Sequence, residues 1–141
     1  STTGLRVARR LFKSGHEFTA LVNDTHKDLD LKSKKVTLVK GNLSKPDTIK
    51  KAMEGIESAF LMSPITDSQF KLEKNFIDAA KKAGIKHVVK YSAIGADADS
   101  PARILKSHGE SEKYLRKSGL RYTIIRPNIF MQNFVEFYGQ D

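Results

Sequence analysis

Apolar residues recur along this chain with two rhythms, one helical and one alternating, and the rhythms take turns. Val7, Ala8, Leu11 and Phe12 recur at helical spacing and stop before Gly15, a residue suited to the left-handed end of a helix, so a first helix is expected to start near Gly4. Residues 17–23, with Phe18, Ala20 and Val22 at alternate positions, read as a strand that follows at once. The polar stretch 24–35 reads as surface loop, and 36–40 as a second strand. Ser44 with Asp47 three residues on makes an Asp-containing form of the capping box, with Pro46 in the first turn, and predicts a helix to about Met53. Residues 58–62 form a short buried strand stopped by Ser63-Pro64, after which Leu72, Phe76, Ala80 and Ala83 lay one apolar stripe on a helix ending at Gly84. A fourth strand is expected over 87–93. A helix over 102–118 is closed by Gly119, with Arg116 and Lys117 suiting the negative end of its dipole, and 121–126 supplies a fifth strand ended by Pro127.

Strands alternating with helices at this pitch predict right-handed crossover units and an α/β fold with a doubly wound, mostly parallel sheet. A doubly wound nucleotide fold opens with a strand in the middle of its sheet, whereas the first element here is a helix beginning almost at residue 1. In the strand order 3-2-1-4-5-6, a chain lacking that first strand leaves the two strands ending at Asn23 and Lys40 unpaired from the three that follow. The expectation is one domain over residues 1–141, incomplete at its start. No internal repeat, linker or low-complexity tract interrupts it.

Composition narrows the chemistry. With 141 residues and 39% hydrophobic content, the chain can build one modest core and not two independent domains. A net charge of +9 invites anionic partners without choosing among nucleotide, nucleic acid and membrane surface. Lys45, Lys50, Lys51, Lys71, Lys74, Lys81 and Lys82 fall mainly on polar helix faces, and no base-stacking aromatics or reading helix stands beside them, so direct nucleic-acid binding is not expected. Without cysteine there is no disulfide scaffold, zinc–thiolate site, iron–sulfur cluster or thiol nucleophile, and His16, His26 and His87 lack metal-ligand spacing. No apolar run approaches the roughly 20 residues of a membrane span, which predicts a soluble, cytoplasmic protein with no membrane partner.

Thr2-Thr3-Gly4 leads directly into a helix, an arrangement that aims backbone N–H groups and a positive dipole end at a phosphate, although Gly4 can equally serve close helix packing. Further blocks join it. Gly4-Leu5-Arg6-Val7-Ala8-Arg9-Arg10-Leu11, then Gly15-His16-Glu17-Phe18-Thr19-Ala20-Leu21-Val22-Asn23-Asp24, resembles the opening of the NmrA-like atypical short-chain dehydrogenase/reductases. Val39-Lys40-Gly41-Asn42-Leu43-Ser44, Phe60-Leu61-Met62-Ser63-Pro64 and Ser107-His108-Gly109-Glu110-Ser111-Glu112-Lys113 are similar to family blocks in order and spacing. Most specific is the run from Ser118-Gly119-Leu120 through Arg126-Pro127-Asn128-Ile129-Phe130-Met131-Gln132-Asn133, which resembles the block preceding the substrate half in the quinone- and azo-reductase branch.

The resemblance implies a Rossmann-like NAD(P)-binding domain, of which residues 1–141 are a part, without the C-terminal substrate lobe that family members carry. It places Gly4 as the third glycine of the G-x-x-G-x-x-G turn, with Thr2 and Thr3 offering N–H groups to the pyrophosphate. Asn23 falls where the adenosine ribose is read. Many relatives have an Arg there, matched to a 2′-phosphate; Asn23 and Asp24 suit a free ribose hydroxyl, while His26 and Lys27 stand close enough to compensate. NADP(H) is therefore favoured by the resemblance, with NAD(H) possible. By the same carry-over Asn42 and Leu43 flank the adenine, and Met62, Ser63 and Pro64 pass under the nicotinamide ribose. Ser92, Pro127, Asn128, Ile129 and Phe130 surround the nicotinamide, and Met131 and Phe134 approach an aromatic acceptor. Met62 has an alternative as ordinary core packing, Ser63 as a turn residue and Ser92 as a strand-end hydrogen bonder.

Typical short-chain dehydrogenases use a Tyr with a Lys four residues later, the Lys lowering the Tyr pKa for proton exchange. Tyr91, Tyr114 and Tyr122 lack that partner, and alignment through Glu112-Lys113 puts Ile104 at the Tyr position and His108 at the Lys position. Ser92 and His108 remain as candidate catalytic side chains. His108 and Glu112 are i,i+4 neighbours expected to share an inward face with Ile104 and Leu115, where a structural pair is the competing role. The resulting expectation is an NAD(P)H-dependent oxidoreductase that passes hydride to a quinone-like or azo acceptor. The alternative is a non-catalytic NAD(P)-binding redox sensor acting through a protein partner. An epimerase or sugar dehydratase is disfavoured by the missing Tyr-x-x-x-Lys.

Overall fold

The computed structural model describes residues 2–23, 25, 31 and 33–128. In chain order they form helix α1 (Thr2–Lys13), strands β1 (Phe18–Val22) and β2 (Val36–Lys40), helix α2 (Pro46–Ala52), strand β3 (Ser58–Leu61), helix α3 (Gln69–Ala83), strand β4 (His87–Tyr91), helix α4 (Arg103–Lys117) and strand β5 (Arg121–Ile125). Helix α1 starts at Thr2, ahead of the expected start near Gly4. In a first turn there is no preceding turn to crowd a β-branched side chain, so Thr3 costs the helix little. Strands β3, β4 and β5 begin where expected and stop earlier, at the last residues with parallel partners: Leu61 opposite Lys90, and Tyr91 opposite Ile125.

Among the described residues the ladders between strands are all parallel, and Ser33 with Val36 makes an isolated antiparallel bridge. β1 pairs with β2 from Phe18 opposite Val36 to Val22 opposite Lys40, and β4 is the centre of a second sheet ordered β3-β4-β5. Among the described residues the two sheets share no ladder, the two-plus-three division that the strand pattern predicts. Parallel neighbours need connections long enough to cross back over the sheet. Those from β3 to β4 and from β4 to β5 carry α3 and α4, while α2 lies on the connection from β2 to β3; the three helices pack side by side, α2 also against β1 and β2. Ile49, Met53, Leu61, Ile77, Ala80, Ile85, Val88 and Leu115 form the core, with Leu21 packed against it, so α2 joins the two sheets into one apolar interior.

Local chemistry sets the ends of the elements. Gly84, at φ 71°, takes the left-handed position after α3 and lets the Ile85 N–H reach the Ala80 carbonyl at 3.0 Å. The capping box expected from Ser44 and Asp47 does not form: Lys45 is the cap residue and no side chain caps the helix. Ser44 sits one residue too early and turns back to the Asn42 carboxamide oxygen, to which its hydroxyl and N–H both donate, at 2.5 and 2.6 Å. Thr48, inside α2, ties the helix start to the preceding loop instead, its hydroxyl accepting the Asn42 N–H at 3.1 Å and lying 2.7 Å from the Lys45 carbonyl.

Two helix faces differ from expectation. In α3 the buried row is Gln69, Glu73, Ile77 and Ala80, whereas Leu72 and Phe76 are half-buried and Ala83 is exposed. The stripe is rotated because its amino-terminal half meets polar partners: Glu73 meets Lys90 of β4 and Ser63 after β3, and Gln69 meets His108 of α4. In α4, Ile104 is 40% exposed and does not share the inward face of Ser107, His108, Ser111, Glu112 and Leu115. Gly109 on that helix lies against backbone: a Cβ there would come within 2.2 Å of the Asp97 carbonyl carbon and the Ala98 nitrogen.

Candidate functional site at the carboxyl ends of the strands

Open parallel sheets bind ligands outside the carboxyl ends of their strands, where loops diverge and no ladder closes the space. The candidate residues are distributed along that edge. Asn23 follows β1 and is exposed; Asn42 and Leu43 follow β2; Met62, Ser63 and Pro64 follow β3; Ser92 follows β4; Pro127 and Asn128 follow β5. Thr2, Thr3 and Gly4 form the first turn of α1. Asp24, His26, Lys27, Ile129, Phe130, Met131 and Phe134 lie outside the described residues. Leu43 is fixed from α3, its carbonyl accepting the Asn75 side-chain amide at 2.9 Å.

Beneath this edge lies a buried polar cluster. On the helix-facing side of the second sheet, register places Lys90 between Leu61 and Ile124, in an apolar row. Its ammonium is fully buried and donates to Glu73 Oε2 at 2.5 Å and to His108 Nδ1 at 3.3 Å. The other oxygen of Glu73 accepts the Ser63 hydroxyl at 2.8 Å. Because His108 Nδ1 accepts, the neutral ring carries its proton on Nε2, which stands 3.2 Å from the Gln69 amide. Gln69 Oε1 is otherwise without a partner, so the amide orientation that satisfies both groups turns that oxygen toward Nε2–H. Burial first, then the Lys90 charge, hold the His108 pKa below its ordinary value, which keeps the ring neutral.

A second cluster joins β4, α4 and β5. Ser92 Oγ donates to Glu112 Oε1 at 2.6 Å, and Arg126 reaches the same carboxylate with Nε at 2.9 Å to Oε1 and with its terminal nitrogen to Oε2. Arg116 adds a longer contact at 3.4 Å. Burial works to raise the Glu112 pKa, but the hydrogen bonds from Arg126 and Ser92 outweigh it and leave the carboxyl below its ordinary range, hence ionised. Glu112 and His108 are therefore not hydrogen-bonded partners, contrary to the i,i+4 expectation: His108 turns to Lys90 of β4 and Gln69 of α3, and Glu112 to Ser92 and Arg126 beyond the ends of β4 and β5. The hydroxyl proton of buried Ser92 is thus committed to Glu112.

Sequence reasoning missed Lys90, Glu73, Gln69 and Arg126. The signals were Val88, Lys90 and Ser92 on alternate positions of one strand face, and Gln69, Glu73, Ile77 and Ala80 on one helical row. Beside α4 an open cleft of about 350 Å³ is bounded by Asp97, Gly109, Lys113, Arg116 and Arg126, and none of the sequence-predicted site residues lines it. Among the described residues no helix is long and apolar enough to cross a membrane.

Parallel α/β units with polar groups gathered at the strand ends define a nucleotide-binding class of fold, and comparison with known proteins narrows it. Residues 1–136 match the model of a family described as NAD(P)H-binding, and the chain belongs to that family. It is 35% identical over 136 residues to the NAD(P)H azoreductase of Xenophilus azovorans, covering 96% of this chain and 48% of that protein. It is 32% identical over 146 residues to the photosystem II assembly factor Ycf39 of a Synechocystis species, covering 98% and 45%. Among solved structures, an NADPH-dependent quinone oxidoreductase from Escherichia coli complexed with NADPH superposes with a TM-score of 0.76 at 28% identity, over 84% of this chain and 42% of that one. The chain thus spans about half the length of the curated relatives it matches.

Proposed function

We propose that the protein is an NAD(P)H-dependent oxidoreductase that passes hydride to a quinone-like or azo acceptor, with NADP(H) favoured over NAD(H). The observation that carries this reading is the similarity to both an azoreductase and a quinone oxidoreductase, in a chain whose candidate residues line the carboxyl edge of its strands. The residues present fit a dinucleotide. Exposed Asn23 offers amide donors and an acceptor to ribose hydroxyls, and the backbone amides of Thr2 and Thr3 belong to a helix first turn suited to pyrophosphate. The bound dinucleotide would supply the hydride. Asn42 and Leu43 would border its adenine, and Met62, Ser63, Pro64, Ser92, Pro127 and Asn128 its nicotinamide half; Ile129 and Phe130 complete that set, with Met131 and Phe134 toward the acceptor.

Quinones accept hydride at an electron-poor centre and spread the resulting negative charge by conjugation, so water can deliver the proton. That chemistry suits a site with isoleucine where a tyrosine acid would stand and with His108 occupied as an internal hydrogen-bond partner. A small aromatic acceptor and a cytoplasmic location belong to the same reading. Calorimetric titration with NADPH and NADH, followed by oxidation of the tighter binder with a benzoquinone and an azo dye, is the test. Binding of neither dinucleotide would end the reading, and a preference for NADH would give selectivity to Asn23 and Asp24. A second reading, a dinucleotide-binding protein that acts through a protein partner, is favoured by the similarity to an assembly factor and by the missing Tyr-x-x-x-Lys. Tight NADPH binding without turnover of either acceptor would select it.

A further inference from the structure

The interior of the three-stranded half holds a charge pair that packing alone does not require. Lys90 and Glu73 are each 0% exposed and stand among Leu61, Val88 and Ile77 in the layer between α3 and the sheet. A buried ion pair is seldom more stabilising than two apolar side chains of the same volume, because desolvation offsets the attraction. What an apolar pair could not do is hold Ser63. Glu73 uses one oxygen for Lys90 and the other for the Ser63 hydroxyl, and Ser63 is itself buried in the segment that leaves the carboxyl end of β3. The ammonium is oriented from the far side by His108 Nδ1, whose ring is in turn fixed by Gln69 from the first residue of α3.

We propose that Glu73 and Lys90 are positioning residues for dinucleotide binding: the Glu73 carboxylate, aimed by the Lys90 ammonium, holds Ser63 and so fixes the shape of the 62–64 segment toward the nicotinamide ribose. The inference rests on the dinucleotide reading above. It makes the buried pair part of the binding edge without any contact between the pair and the ligand. The carboxylate serves the strand and the 62–64 segment at once, one oxygen to each, and the Lys90 ammonium sets its orientation.

The test uses the intact protein. Glu73→Met/Lys90→Leu replaces the pair by apolar side chains of similar volume and should still fold cooperatively, melting below wild type by the cost of the Ser63 hydroxyl and His108 Nδ1 left without partners, while the NADPH Kd rises about tenfold, as for one lost ordering hydrogen bond. Ser63→Ala should give the same rise with little change in melting, Ser63→Thr should restore wild-type binding, and Ser63→Ala added to the apolar pair should bring no further loss. In turnover the change should appear in the KM for NADPH and not in kcat at saturation. Amide hydrogen exchange of Met62 and Ser63 should accelerate in both variants without any ligand. Wild-type NADPH affinity and exchange in the apolar-pair variant, or effects of Ser63→Ala and the pair that simply add, would overturn the proposal. If the double replacement fails to fold, Ser63→Ala alone decides, since unaltered affinity and exchange there overturn it equally. A wild type that binds neither NADPH nor NADH overturns the inference through the reading beneath it, and does so before any substitution is made.

Discussion

The two-stranded and three-stranded halves of this molecule are built from the same parallel unit, yet they fill their interiors differently. All five residues of β1 are half-buried, and β2 has Thr37 and Lys40 exposed and its other three residues half-buried. β4 instead buries Val88 and Lys90 outright. Among the described residues, every buried polar or charged side chain lies between Ser63 and Glu112, in the half covered by α3 and α4. A polar group can be taken out of water only where partners surround it on several sides, and two helices closing over one sheet provide them. The β1–β2 half holds its turns with half-exposed groups, such as the Asn42 and Thr48 pair. The difference assigns rigidity to the edge proposed for the nicotinamide and latitude to the edge proposed for the adenosine.

The sharpest way to break that contrast is to orphan a charge in the covered half. Lys90→Met leaves the Glu73 carboxylate buried without its cation and should cost about 3–5 kcal/mol, read as a fall in the urea midpoint; Thr48→Val in the other half should cost about 1 kcal/mol. Equal effects would remove the distinction. Next come the two close glycines. A Cβ on Gly109 meets backbone atoms of 97–98, and one on Gly41 meets the Thr48 side chain at 2.4 Å. Gly109→Ala should therefore cost about 1–3 kcal/mol, with altered exchange in 96–98, and Gly41→Ala should cost less because α2 is short and can shift.

The pH response should also belong to the covered half. His108 is held below its ordinary 6.5, so between that value and its lowered folded value the unfolded chain binds a proton that the folded chain refuses. Stability is then full above about pH 6.5 and falls as pH drops below it. Glu112 and Asp78, both lowered, add losses only further down, as pH falls through the carboxylate range. Stability measured from about pH 7 to pH 5.5 should decline in wild type and stay flatter in His108→Gln. The smallest effect is expected at the rim, where Tyr114 donates to Asp78 beside Lys74 and all three are partly exposed. Tyr114→Phe should cost less than about 1 kcal/mol by the same urea measurement.

The order of strands and helices, the parallel pairing and the two-plus-three division of the sheets were legible because each rests on a period or on a turn residue such as Gly84. The capping of α2 was not: Ser44 and Asp47 match a motif, but Pro46 shifts the helix start, and which hydroxyl closes the turn depends on Asn42. The α3 stripe was misplaced by one residue because an apolar count treats Gln69 and Glu73 as outward. They turn inward because Lys90, Ser63 and His108 satisfy them, and those partners come from other elements. For the same reason the His108–Glu112 spacing was correct as helix geometry and wrong as a contact. Strand ends were readable as candidate positions, whereas the groups that hold them in place emerged only in three dimensions.

Glu112 gathers the end of β4, the middle of α4 and the end of β5 on one carboxylate. Its partners Ser92 and Arg126 are 20 and 14 residues away in the chain, and Glu73 finds Ser63 and Lys90 at 10 and 17. Closing a loop costs entropy that grows only with the logarithm of its length, and contacts of short chain separation form fastest. Each buried carboxylate can thus meet its partners within a single β–α or α–β segment, before distant parts of the chain have to be brought together. The groups that would be most harmful if left unpaired during collapse are those whose partners lie nearest along the chain.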